Sequence, residues 1–207
     1  MKKPLFAFAA CLAALGGAAP SAVAQETAAE DAGASIDEAV AFAKGLTDQA
    51  TAALTSGKSE AEQLADFQAV LGEGLALDVI GKFMIGDIRK SMTPEQLARY
   101  DAAFPPYLTK LYADQFADIV GRPLTVIDAK ALGARDVIVR TQFTRSDGPP
   151  INVDWRIRKL KTGDQKAIDI IVSGVSIMLV KREEFSAFIA QNSVDALIER
   201  IEKEGKA

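Results

Sequence analysis

Few residues in this chain can do chemistry. Its 207 residues include no histidine, and imidazole is both the ordinary general base near neutral pH and the commonest metal ligand. The single cysteine, Cys11, stands close to the start. Ser-His-Asp triads, Cys-His dyads and His/Cys zinc sites are therefore excluded. The stretch that most resembles a reactive site is residues 169–185, DIIVSGVSIMLVKREEF. A nucleophile elbow needs Gly-x-Ser-x-Gly, but Gly174-Val175-Ser176-Ile177 runs into Met178, and no base is present to activate Ser176. The stretch reads better as a turn, with Gly174 relieving backbone crowding where a buried strand ends.

Asp169 is the second candidate. Its alternation with Ile168 and Ile170 places the carboxylate on the polar face of a strand, beside Arg156 or Arg158 of the neighbouring strand. A cross-strand pair is the commoner outcome. The alternative is a carboxylate base with a pKa raised by burial. Arg156, Arg158, Lys159 and Lys161 form a basic stripe with Lys166. Such a stripe is ordinarily a solvated outer face, and otherwise a docking surface for an acidic partner.

The elements that must position these residues change period near Pro123. Before it, apolar residues recur at helical spacing. Ser35 and Glu38 form a capping box ahead of Ile36, Val40, Ala43, Leu46 and Ala50, and Gly57 ends that helix. Leu64 to Ile88 reads as two helices separated by Gly72 and Gly74. Thr93-Pro94 with Gln96 starts another. Pro105-Pro106 is expected to interrupt it, with a further helix restarting near Pro106 and carrying Tyr107, Leu108, Leu111, Tyr112, Phe116, Ile119 and Val120 to Gly121. Beyond Pro123 the period is two. LTVIDAKAL, DVIVRTQFTR, INVDWRIRKL and QKAIDIIVSG read as four strands of an antiparallel meander with one buried face. The chain closes in helices, with a break around Gln191-Asn192-Ser193 and Ser193 as a cap. Helices, then a meander, then helices predict an α+β domain.

At the N-terminus, Lys2 and Lys3, the apolar stretch Leu5 to Leu15 and Ala22-Val23-Ala24 read as a signal peptide over residues 1–24. Residues 25–34 are small and polar and are expected to be flexible. Residues 35–207 are expected to form a single domain. Cleavage after Ala24 removes Cys11, so no disulfide framework is available to the exported chain. The formal net charge of −4, with no basic tract, argues against nucleic acid and anionic membrane surfaces as partners. The apolar inventory of residues 75–120 and 168–180 exceeds what a simple two-layer core needs. Composition leaves open whether that surplus packs solid or surrounds an apolar ligand.

Two motifs carry a resemblance. The first is IGDIRKSMTPEQLARYDAAFPPYLTKLYADQF, a glycine and a basic residue, then Thr-Pro-Glu-Gln, then spaced Phe and Tyr. The second is VDWRIRKLKTGDQKAIDIIVSGVSIMLVKREEFSAFI, a charged strand, a Gly-Asp turn, an apolar strand, Gly-Val-Ser and a basic residue before Glu-Phe. From about residue 60 onward the chain resembles the MlaC, or toluene-tolerance, family. These are the periplasmic phospholipid-binding components of the Mla lipid-transport ABC system. Gln165, where relatives often carry an aromatic residue, and Pro105-Pro106 depart from the pattern.

The resemblance implies an NTF2-like α+β cone with an apolar cavity between helices and sheet. It implies a periplasmic monomer that carries phospholipid between an outer-membrane lipoprotein–porin complex and the substrate-binding ring of an inner-membrane ABC transporter, maintaining outer-membrane lipid asymmetry. No cofactor, metal, catalysis or nucleic acid enters this reading; the alternative is an NTF2-like enzyme acting on an apolar small molecule. Cavity candidates among the helices are Val79, Phe83, Met84, Tyr100, Phe104, Leu108, Leu111, Tyr112 and Phe116. On the strands they are Val139, Val153, Trp155, Ile157, Ile168, Ile170 and Val172, followed by Val175 and Ile177. Arg182 is the candidate for the lipid headgroup; otherwise it solvates a helix end.

Overall fold

Helix α1, Ile36–Leu54, starts where Ser35 Oγ accepts from the Glu38 N–H at 3.4 Å. Glu38 does not complete the expected box, because its carboxylate accepts instead from Gln165 Nε2 at 2.9 Å. The computed structural model describes residues 34–116, 122, 124–145 and 148–206. The signal peptide over 1–24 and the segment 25–33 lie outside the described residues, as do Ile119 and Val120. Helix α2, Glu60–Gly74, runs through Gly72 and is closed at its start by a reciprocal box between Ser59 and Glu62. The separation from α3, Leu77–Ile85, falls at Leu75 and Ala76, where Ala76 N–H bonds Ala167 O at 2.9 Å and ties the helices to the sheet.

Helix α4, Pro94–Phe116, corrects one expectation, for it passes through Pro105 and Pro106 without a break. Its start is as read: Thr93 and Gln96 exchange bonds of 3.0 and 3.2 Å. Each proline removes one N–H from the ladder, freeing the carbonyls of Asp101 and Ala102. Both residues are exposed, so water can satisfy them. On the opposite side Phe104, Tyr107 and Leu108 are buried, and their packing holds the two halves on one course.

The sheet is antiparallel in the order β1-β2-β3-β4-β5, comprising Leu124–Leu132, Asp136–Phe143, Ile151–Lys159, Gln165–Val172 and the short Val175–Ser176. The four expected strands are present, and the fifth is an addition. Ser173 and Gly174 both have positive φ, 51° and 84°. That pair of conformations makes the tight hairpin turn joining β4 to β5. The expected turn at Gly174 is thus present, as this hairpin.

Alternation in β2 and β3 buries Val137, Val139, Thr141, Val153, Trp155 and Ile157 on one face. In β4 the alternation slips. Arg156 faces Asp169 and Ile157 faces Ala167, so Ile168 is an extra, bulged residue. Helices α5, Ile177–Gln191, and α6, Val194–Glu204, follow, with Ser193 capping α6 as expected.

The helices cover the buried sheet face. Helix α1 pairs with α2 and reaches across β1 to β4, α4 packs on α2, α3 and α6, and α5 packs on α3 and β4. The outer face is polar, and two residues of the basic stripe read there, Arg156 and Arg158, are held by a carboxylate. Asp136, buried, takes Arg156 and Arg158 together, with both shortest contacts at 2.6 Å. Burial pushes the Asp136 carboxyl up, but hydrogen bonds from Arg158 and Arg156 outweigh it and hold the pKa below the usual carboxylate range.

Candidate functional site

Four side chains of α4 recur every fourth residue, Tyr100, Phe104, Leu108 and Tyr112, and all are fully or almost fully buried. A spacing of four keeps residues on one helix face, so this stripe is a continuous wall. Tyr100 and Phe104 have ring centroids 5.4 Å apart, Phe104 and Tyr107 6.3 Å, and Tyr107 and Phe185 of α5 5.9 Å. Tyr100 Oη donates to Gly81 O at 2.8 Å, pinning α4 against α3. The buried face of the sheet belongs to the same apolar cluster as this stripe. There Trp155 Nε1 donates to Thr141 Oγ1 at 3.2 Å, and Thr141 Oγ1 donates to Val153 O, so both buried polar groups are satisfied.

Of the cavity candidates, Met84, Tyr100, Phe104, Leu108, Tyr112, Val139, Val153, Trp155, Ile157, Ile170 and Ile177 fall in one apolar cluster. Phe83, Leu111 and Val172 pack against it. Val79 is half-buried and stands apart, and Val175 is 55% exposed on the hairpin. The bulge sets Ile168 apart from the cluster and puts Ala167 into it, so Ile168, Ile170 and Val172 do not form the single row that strict alternation implied. The side chain of Phe116 lies outside the described residues.

Sequence reasoning passed over Leu197, Ile198 and Ile201 of α6, all fully buried in the same cluster. Their i, i+1, i+4 spacing was the available signal. A groove of about 350 Å³ opens between α3 and α4 onto Tyr100 and Phe104, with Asp78, Lys82 and Asp101 at its rim.

This interior offers little to a reaction. Burial raises the pKa of Tyr100 and Tyr112 above the ordinary tyrosine range and pushes Tyr107 up to about 12, so all three stay neutral. Asp169, also buried, is not paired with the arginine opposite it, which corrects the cross-strand reading. Its carboxylate accepts from Ser176 Oγ at 2.6 Å and from Met178 N at 3.3 Å. Ser176 Oγ in turn accepts from Leu179 N at 3.1 Å and caps α5. Asp169 therefore fastens the start of α5 to β4, and both acceptor oxygens are engaged. Arg156 goes to Asp136 because that carboxylate, on the other side of β3, also gathers Arg158. Gln165, the departure from the family pattern, has a buried Oε1 with no hydrogen-bond partner among the described residues.

Comparison with known proteins agrees with this architecture. The toluene tolerance protein ttg2D of Pseudomonas putida is 26% identical over 127 residues, covering 61% of this chain and 59% of the relative. The intermembrane phospholipid transport system binding protein MlaC of Haemophilus influenzae is 23% identical over 130 residues, 61% of each chain. The chain thus spans about three-fifths of the length of these two relatives. The solved structure of a phospholipid-binding protein from Ralstonia solanacearum, in complex with a phospholipid, matches with a TM-score of 0.68 at 20% identity. That match covers 80% of this chain and 96% of the other, and it shows the same fold. The family model described as MlaC protein matches residues 44–203, which takes in both motifs and most of the chain: this protein belongs to the MlaC family.

Proposed function

We propose that this chain is a phospholipid carrier of the periplasm. It moves lipid between an outer-membrane lipoprotein–porin complex and the substrate-binding ring of an inner-membrane ABC transporter, and so maintains outer-membrane lipid asymmetry. The observation that supports this most is an apolar interior walled by α3, α4 and the sheet, in a chain whose family match spans residues 44–203. The named relative from Haemophilus influenzae is a binding protein of an intermembrane phospholipid transport system, which points the same way. Burial gains about 0.8 kcal/mol per CH₂, so a sixteen-carbon tail resists entering water by roughly 12 kcal/mol. A carrier must enclose such tails, and aliphatic and aromatic side chains between helices and sheet are the groups that do so. Among the described residues no helix is long and apolar enough to cross a membrane.

Extracting the purified protein with organic solvent and examining the extract by mass spectrometry tests the reading. Near-stoichiometric phospholipid is expected. Protein without lipid, combined with a turnover that Asp169→Asn abolishes, would instead favour an NTF2-like enzyme.

A further inference from the structure

Arginines in this fold are drawn to carboxylates. Arg89 pairs with Asp101, Arg99 with Glu202, Arg140 with Asp128, Arg156 and Arg158 with Asp136, and Arg200 with Glu204. Arg182 on α5 is half-buried like them, yet has no salt-bridge partner among the described residues. Asp87 is near enough to feel its charge, but that carboxylate is bonded to Lys90 at 2.7 Å. The neighbouring Lys181 is likewise held, by Glu184 at 2.7 Å.

What holds Arg182 is a platform. Its guanidinium lies over the Phe83 ring, 4.6 Å from the centroid. Beside it is Gly86 at φ 58°, where an added Cβ would come within 3.3 Å of Nη2. A guanidinium donates in its own plane, so stacking on a ring fixes its orientation and leaves the N–H fork available. A fork of that kind matches the paired oxygens of a phosphate. Leu179, one turn earlier on the same helix, is 51% exposed, and Val175 and Val180 are exposed close by in sequence. An oriented cation without a salt-bridge partner among the described residues, with bare Leu179 one turn away on the same helix, suits an amphiphilic anion better than a free ion.

We propose that Arg182, seated on Phe83 and against Gly86, binds the phosphate of the carried lipid. This rests on the carrier reading and adds to it a preference for phosphate-bearing lipids over neutral ones with the same tails. The test uses the protein stripped of lipid, with phosphatidylglycerol and diacylglycerol bearing identical fluorescent tails, and inorganic phosphate as a separate probe. Wild type should bind phosphatidylglycerol about ten-fold or more tightly than diacylglycerol, as charge-assisted hydrogen bonds imply. Arg182→Gln should bring the two affinities together while leaving diacylglycerol binding unchanged. Phe83→Leu, which keeps the apolar floor but removes the ring, should fall between.

A preference that persists in Arg182→Gln overturns the assignment. So does inorganic phosphate binding to wild type and not to Arg182→Gln, with no lipid preference in either, since the site would then take free phosphate. If Arg182→Gln does not fold, Arg182→Lys serves instead: it keeps charge and loses the fork, and an undiminished preference in it counts against the proposal. Wild type binding neither lipid is a different result, and it removes the carrier reading itself.

Discussion

Asp169 is 4% exposed, and its carboxylate has to be held by donors; Ser176 and Met178 supply them. Burial raises its pKa by more than the hydrogen bonds from Ser176, Met178 and Ile170 and the charge of Arg156 lower it. A raised folded pKa means that the native state binds the proton more tightly than the unfolded chain does. The stability this contributes is complete below the unfolded carboxylate range and is lost as pH rises through the folded value. Asp169→Asn carries no charge, keeps one oxygen for the Met178 N–H, and its Nδ2 donates to Ser176 Oγ where the carboxylate accepted. It should therefore melt no lower than the native protein at pH 7, and any lead it has should shrink as pH falls toward the ordinary carboxylate range. Thermal melts across that range check this; a variant less stable at pH 7 by a margin independent of pH would contradict it. The sequence left Asp169 open between an acid paired across strands, the commoner outcome, and a carboxylate base. Its partner was not legible. Central strand β3 lies between two acids, and the choice of Asp136 over Asp169 depends on where β2 brings its first residue.

At the scale of elements, the close contact of α3 with α4 depends on Gly81. A Cβ added there would lie 2.9 Å from the ring of Phe104, which is buried, so the ring must shift to admit it. Gly81→Ala gains about 1 kcal/mol in helix propensity and incurs about 1–3 kcal/mol of overpacking. The result should be a net loss of up to about 2 kcal/mol, measurable by chemical denaturation, with a secondary-structure spectrum unchanged. A more stable variant would show that the α3–α4 contact is loose. Capping signals at Thr93, Gln96 and Ser193 were readable, since each rests on a bond between residues three apart. The continuity of α4 was not, because the local rule for proline yields here to burial on the opposite face. Nor was the bulge at Ile168, as QKAIDIIV is apolar on both sides of its middle and gives no register of its own.

Across the whole molecule, the helical layer and the sheet share one apolar compartment, and Trp155 stands within it. If lipid tails lie beside that wall, their removal must admit water or draw the helices inward, and either changes the surroundings of the only tryptophan. Emission from Trp155 should shift on delipidation and return when phospholipid is restored. A densely packed core predicts no change, because its contacts do not depend on a ligand; identical spectra with and without lipid would count against tails at this wall. By itself the sequence determined the α+β class, the succession of helices, antiparallel meander and closing helices, and the absence of imidazole and thiolate chemistry from residues 35–207, for these follow from periodicity, capping and residue inventory. The tertiary structure decided that Arg156 and Arg158 serve Asp136, that Asp169 anchors α5, and that Arg182 rests on Phe83 without a salt-bridge partner among the described residues. Those choices are made between residues distant in sequence, where local pattern carries no information and the shared burial of neighbouring elements sets the partner.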